Sequence, residues 1–262
     1  VSLEQILLCH TLEVMALFAD LMDDTLHAQH LSAMAEELKR KIFDAFWDEE
    51  QGCLVHHRLQ GERQSAVSLY PNMFALLFGY LTEKQIEQVK HSVLSDTREQ
   101  KITTPYMRFF ELAVRCELGE HQAVLMEIVR YWGEMLNLGA TTFWEAFDPR
   151  QQGSEHYTMY GRPFGKSLCH AWGASPLYLL GRYFLGVRPL TPGYQTYRIE
   201  PQLGGLERMS GTVPIPSGHI AVSADARLLT VRATGGIGYV RFQSATPPRS
   251  SVGSLQSLGN SW

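Results

Sequence analysis

Gly139-Ala140-Thr141-Thr142-Phe143-Trp144-Glu145 is the stretch on which the reading of this chain turns. A long amphipathic run over residues 120–138 leads into it, with Val124, Ile128, Trp132 and Met135 on one stripe. Gly139 suits the left-handed position that closes a helix. Two hydroxyls, two aromatic rings and one carboxylate then follow within six residues. Asp148-Pro149 ends the run, and a loop rich in Tyr, His, Gly and Arg comes next. A carboxylate beside an aromatic platform is what a sugar site needs. The apolar face of the sugar ring stacks on the aromatic while the carboxylate handles a hydroxyl or a water. The same residue types also describe a core built from Phe143 and Trp144 with Glu145 on a solvated loop.

Working outward, the first two thirds of the chain read as helices in pairs. Leu3, Ile6, Leu7, His10, Val14, Leu17, Phe18 and Leu21 recur at helical spacing, and Leu31, Met34, Leu38, Ile42, Ala45 and Phe46 mark a second helix. A turn is expected at Glu49-Glu50-Gln51-Gly52, then a loop or short strands over residues 53–65. Pro71 suits the first turn of a helix carrying Met73, Phe74, Leu76, Leu77 and Tyr80. Thr82 with Gln85 forms a capping-box pattern. Thr104-Pro105 reads as an N-cap and first helical residue, and that helix stops at Gly119. A last helix is expected over residues 167–185, ending at Gly186-Val187-Arg188-Pro189.

After Pro189 the texture changes to short alternating segments: Tyr197-Arg198-Ile199-Glu200, Gly211-Thr212-Val213, His219-Ile220-Ala221-Val222, Leu228-Leu229-Thr230-Val231 and Tyr239-Val240-Arg241-Phe242. Period-two alternation with turn signals predicts antiparallel strands, with Ser217-Gly218 as a hairpin turn. From Gln243 onward Ser, Gly and Pro dominate, which predicts a loose tail. The fold class is therefore mainly α with a small β domain. Helix hairpins of variable length fit a bundle, a solenoid or an (α/α) toroid, and the lack of a fixed period counts against a regular solenoid.

Composition narrows the function classes. At 262 residues and 45% hydrophobic content the chain can bury a core of ordinary size. A net charge of -4 from mixed signs offers no basic stripe for nucleic acid. No apolar run near spanning length is read, so no membrane partner is expected, and Glu4, His10 and Glu13 interrupt any leader-like opening. Val1 at the first position suggests a processed product or a piece of a longer protein. Cys9, Cys53, Cys116 and Cys169 form no CxxC pair, so zinc and thioredoxin chemistry are not indicated, and a reduced cytoplasmic setting is the simpler reading, with two distant disulfides left open. His56-His57 lacks a partnering carboxylate cluster and no Asp-rich loop suggests calcium, so neither metal nor cofactor is expected.

The heptad at 139–145 resembles the signature of bacterial α-L-rhamnosidases and their six-hairpin glycosidase relatives. Thr104-Pro105-Tyr106 and Tyr131-Trp132-Gly133-Glu134-Met135-Leu136 resemble the family's two preceding helices, and Lys166-Ser167-Leu168-Cys169-His170-Ala171-Trp172-Gly173 its following helix. Gly186-Val187-Arg188-Pro189 and Pro192-Gly193-Tyr194 resemble its passage into a C-terminal β-domain. The order and spacing agree over most of residues 1–235. The resemblance implies a partial (α/α)6 toroid of helical hairpins over residues 1–188, an antiparallel β-sandwich over 189–243 and a flexible tail over 244–262.

It also implies inverting hydrolysis of terminal α-L-rhamnosides in rhamnose-containing oligosaccharides or glycosides. Inversion uses two carboxyl groups roughly 6.5–9.5 Å apart, one protonating the leaving oxygen and one activating a water. The family's base falls on Glu145, and its sugar-contacting histidine falls on His170. Nothing here resembles the acidic, Trp- and Gly-containing segment that carries the family's general acid. With about seven helices where a complete toroid has about twelve, the chain is expected to be a C-terminal part carrying the base half of the site. Trp144 is expected as a sugar platform, with Tyr157, Tyr160 and Arg162 lining the pocket. Trp132 and Trp172 are expected in the core. Glu155 and His156 are the nearby candidates for a second acid, and Asp148 is expected to cap a turn. A Cys169-His170 nucleophile pair is disfavoured because neighbours on a helix diverge by about 100°. A non-catalytic sugar-binding fragment, or a glycan phosphorylase or glucosidase on the same scaffold, are the competing functions. An open toroid would also expose apolar helix faces, from which a homodimer is expected.

Overall fold

The computed structural model describes residues 1–95, 102–241 and 249. Phe242, Gln243 and nearly all of the expected tail therefore lie outside the described residues. About half of the chain is helical, and the rest includes several small sheets. It divides into two compact units, Val1–Ile102 and Thr103–Trp262. The later helices and the C-terminal strands share the second unit.

The first unit opens with a helical hairpin, α1 (Ser2–Leu21) and α2 (Thr25–Phe46). Asp24 caps α2, its side chain accepting from the His27 amide. Ile6, Cys9 and Ala16 on α1 and Ala28, Ala35 and Ile42 on α2 are buried, and the Cys9 thiol reaches the Ala35 carbonyl at 3.4 Å. The opposite side of α1 leaves Leu8, Met15, Phe18 and Leu21 exposed. One expectation needs correction here. By length and composition α1 is apolar enough to cross a bilayer, with a mean hydropathy of 1.3. Its few charges are spaced too widely to lower that average, although its buried stripe is that of a hairpin helix.

Residues 53–65 form short strands, as one of the two expectations had it. β1 (Trp47–Asp48) pairs antiparallel with β2 (Cys53–Leu54), and β3 (Arg58–Leu59) with β4 (Glu62–Arg63). α3 (Leu69–Leu77) follows. Its buried Asn72 works as a piece of strand, accepting from the Leu54 amide at 2.8 Å and donating to the Leu54 carbonyl at 3.0 Å. α4 (Glu83–Val89) starts with the Thr82–Gln85 capping box.

In the second unit Thr104 caps α5 (Pro105–Glu117), with Pro105 in its first turn. α6 (His121–Asn137) then runs to Gly139, which has φ +88. There the amides of Gly139 and Ala140 return to the carbonyls of Leu136 and Met135, closing the helix as the sequence indicates. The expected helix over 167–185 is shorter than read. Residues 167–170 are irregular, with His170 extended, Ala171–Gly173 is a single 3-10 turn, and α7 (Ser175–Leu179) continues as a π-type turn over Leu180–Phe184. Pro176 sits in the first turn of α7, where its missing amide is harmless.

The strand region follows the expected alternation. β7 (Arg208–Ile215), β8 (Gly218–Asp225) and β9 (Leu229–Ala233) form an antiparallel sheet. The register Ile215↔Gly218 places the turn on Pro216-Ser217, one residue earlier than expected. β5 (Val187–Pro189) pairs antiparallel with β6 (Thr196–Ile199), but β10 (Ile237–Val240) joins β6 in parallel. A Cβ on Gly236 or Gly238 would lie within 2.8 Å of the Tyr197 ring, so glycine lets β10 leave β9 and pass beside that ring. Val187, Tyr197, Ile199, Ile215, Ile220 and Val222, drawn from both sheets, share one core. All four cysteines are free thiols, which removes the disulfides left open.

Candidate active site

Beyond Gly139 the chain is irregular, and it pairs with a second irregular segment. The Glu145 amide donates to the Ser167 carbonyl at 2.9 Å, and the His170 amide donates to the Phe143 carbonyl at 2.8 Å. The Thr142 hydroxyl donates to the Leu168 carbonyl. Residues 142–145 and 167–170 thus run side by side in opposite directions. The pair is anchored below: the Phe147 amide donates to the Thr103 carbonyl at 2.8 Å, and the buried Tyr131 hydroxyl donates to the Phe147 carbonyl at 3.0 Å.

Glu145 is the focus of this arrangement and is only 6% exposed. Its Oε2 accepts from the Ser167 amide at 3.0 Å, and its Oε1 accepts from the Tyr160 hydroxyl at 2.9 Å. Its own carbonyl accepts from the Trp172 indole at 2.9 Å. The Ser167 amide holds the carboxyl below the usual glutamate range, helped by Tyr160 and by the charges of His170 and Lys166. Lys166 is itself buried; desolvation lowers its pKa while the charges of Glu145 and Asp148 oppose that shift. An ionised carboxylate, nearly enclosed and fixed at both oxygens, can accept a proton from a water in a set direction.

The expected residues divide. Glu145, Tyr160 and His170 come together. His170 is extended rather than helical, so the argument from helical divergence against a Cys169-His170 pair loses its basis. Tyr157 is half-buried under the loop, its ring 5.9 Å from Trp144 and 6.4 Å from Phe164, and Arg162 is exposed on the loop's outer turn; neither bonds to Glu145. Trp144 must be corrected. It is 2% exposed and packed against Phe147 and Tyr157, so it has no free face for a sugar ring. Trp132 is in the core as expected, its indole bonded to the Gly173 carbonyl at 2.9 Å. Trp172 is not: it is 38% exposed and lies 4.1 Å from the His170 ring.

The candidates for a second acid are occupied locally. Glu155 caps its own 3-10 turn by accepting from the Gln152 amide at 2.9 Å. His156 is buried and stacked on Phe147. Asp148 accepts from the Arg150 amide at 3.0 Å, the turn-capping role expected of it. Sequence reasoning missed Lys166, and it missed the exposure of Trp172 by treating residues 167–185 as a helix. Among the described residues no group of three or more His, Cys, Asp or Glu converges as metal ligands would.

Known proteins resemble this arrangement. The sequence matches the bacterial α-L-rhamnosidase six-hairpin glycosidase domain over residues 2–184. An α-L-rhamnosidase of Alteromonas sp. (strain LOR) is 29% identical over 172 residues, covering 58% of this chain and 17% of that protein. The GH78 family rhamnosidase of Bacillus sp. GL1 superposes with a TM-score of 0.76 at 27% identity, over 92% of this chain and 26% of its own. The Klebsiella oxytoca rhamnosidase, solved with rhamnose bound, gives 0.58 at 28% identity over 70% of this chain and 34% of its own. This chain therefore spans 17–34% of the length of these relatives. It belongs to the bacterial α-L-rhamnosidase six-hairpin glycosidase family.

Proposed function

We propose that the chain furnishes the base side of an inverting α-L-rhamnosidase site acting on terminal α-L-rhamnosides, within part of an (α/α)6 toroid followed by a β-sandwich. The observation that carries this reading is the Glu145 carboxylate, nearly buried yet kept ionised by the Ser167 amide and the Tyr160 hydroxyl. In the reaction a water attacks the anomeric carbon from the face opposite the leaving oxygen. Its proton passes to Glu145 as the carbon–oxygen bond to the aglycone breaks. The leaving oxygen takes a proton from a second carboxyl, which this reading assigns to a segment other than the loop of Glu145. His170 contacts the sugar, and Trp172 takes the stacking role first given to Trp144. Rhamnose bound to the Klebsiella oxytoca relative supports a rhamnosyl ligand.

A second reading has its own support: Asp148 and Glu155, the carboxylates nearest in sequence, both spend oxygens on local caps. On this reading the chain by itself binds a rhamnosyl end without turning it over. Release of p-nitrophenol from p-nitrophenyl α-L-rhamnopyranoside, compared with Glu145→Gln, decides between them. Turnover that disappears in the variant supports the enzyme reading, and equal turnover in both defeats it. If neither protein turns over, calorimetry with L-rhamnose follows: binding supports the second reading, and no binding defeats both for this chain.

A further inference from the structure

We propose that Tyr160 is a positioning residue for the base: a tight turn sets its hydroxyl on Oε1 of Glu145 and so fixes the oxygen that faces the water. The inference rests on Glu145 being the base. Tyr160 is 75% exposed, so burial of its ring does not explain where it sits. Its backbone has φ +53, a region that bulky residues rarely adopt, and Gly161 beside it has φ +71. The Met159 amide donates to the Arg162 carbonyl at 3.1 Å and the Arg162 amide returns to the Met159 carbonyl at 2.9 Å, closing a two-residue turn with both central residues left-handed. That turn is seated on Gly165, where a Cβ would lie 2.3 Å from the Met159 carbonyl oxygen. The Lys166 amide donates to the Tyr157 carbonyl at 3.1 Å and closes the base of the loop.

The polar contact that this strained, exposed tyrosine makes is its bond to Glu145. The two oxygens of Glu145 are thereby distinguished. Oε2 is tied to the backbone at Ser167 and cannot turn away without losing that bond. Oε1 is tied to a side chain at the mouth of the loop, where its remaining lone pair lies beside the exposed Tyr160 ring and can accept from a water. The phenol keeps its proton throughout, since the bond to Glu145 pushes its pKa up. Its oxygen can in turn accept the water's second hydrogen while the first passes to Oε1.

The test reads the carboxyl itself. The side-chain carboxyl carbon of Glu145 is titrated by carbon-13 NMR in the chain, in Tyr160→Phe and in Gly161→Val, with Glu145→Gln assigning the signal. Phenylalanine keeps the ring and removes the hydroxyl. Valine keeps the hydroxyl but forbids the left-handed turn. Both should raise the Glu145 midpoint while leaving amide spectra away from the loop unchanged, an effect that loss of packing alone would not produce. Where turnover is measurable, kcat should fall at least about tenfold in Tyr160→Phe with KM nearly unmoved. A Glu145 midpoint identical in the parent and Tyr160→Phe would overturn the proposal. Turnover surviving in Glu145→Gln would instead sink the reading of Glu145 as base, and the titration separates the two failures because it needs no catalysis.

Discussion

Replacing Gly173 by alanine tests whether Glu145 is held by packing as well as by hydrogen bonds. Gly173 ends the 3-10 turn after His170, outside the left-handed region, so alanine has no backbone penalty there and by itself would stabilise by about 0.4–1 kcal/mol. Space is the obstacle. A Cβ at this position would sit 2.7 Å from the Phe143 Cβ and 3.0 Å from the Trp144 carbonyl oxygen. Carbon–carbon contacts are comfortable at about 3.5–4.0 Å, so the segment must move by about 0.8 Å or more. Overpacking of this kind costs about 1–3 kcal/mol, leaving a net loss of about 1–2 kcal/mol. For a chain of this size that lowers the melting temperature by about 2–8 °C. Glu145 follows directly on the displaced residues, and a shift near 1 Å costs about a hundredfold in rate. The assay pairs thermal melting with rhamnoside turnover, or with rhamnose affinity if the chain does not turn over. Stability in the usual range of about 5–15 kcal/mol keeps the variant folded at room temperature, so lost function would report misplacement rather than unfolding. Melting and function both equal to the parent would refute the claim that Gly173 supports the Phe143–Glu145 segment.

Two further outcomes follow from the same region. Tyr131→Phe removes the donor to the Phe147 carbonyl and leaves a buried acceptor unpaired, which should cost about 1–3 kcal/mol in urea melts; no change would mean that water replaces the bond. The lowered pKa of Glu145 sets a pH dependence. Its stabilising contribution is complete above the unfolded glutamate pKa of about 4.3 and is lost as pH falls through its lower folded value. Glu145→Gln should therefore lose less stability than the parent between pH 6 and acid, and parallel losses in both would show that the carboxylate is not specially stabilised.

The helical part of the fold was largely legible because its signals are local. The Thr82–Gln85 box, the Thr104-Pro105 start and Gly139 each act within a turn of themselves, and each does in the structure what its chemistry requires. Non-local choices were not legible. The Asn72 side chain substitutes for a strand by bonding Leu54, eighteen positions away in sequence. β10 pairs in parallel with β6 rather than folding back on β9, a decision made by the fit of two glycines against Tyr197. The end of the α part at residue 188 was read from a change of texture, but helices and strands of the second unit bury their side chains together. Leu185 from the helical end belongs to the same core as Ile215 and Ile220 from the strands.

The site shows most directly what one local error does. Reading residues 167–185 as a continuous helix placed Trp172 on an apolar stripe and left Trp144 as the aromatic nearest the base. Once residues 142–145 are seen to pair with residues 167–170, burial separates the two rings. Trp144 is 2% exposed and closed off by Phe147 and Tyr157. Trp172, 38% exposed, is the open ring beside this segment, and it donates its indole N–H to the Glu145 carbonyl. The same bond ties the orientation of the ring to the backbone of the base. The open ring and the carboxylate thus belong to two paired segments, with Gly173 providing the clearance that lets them lie together.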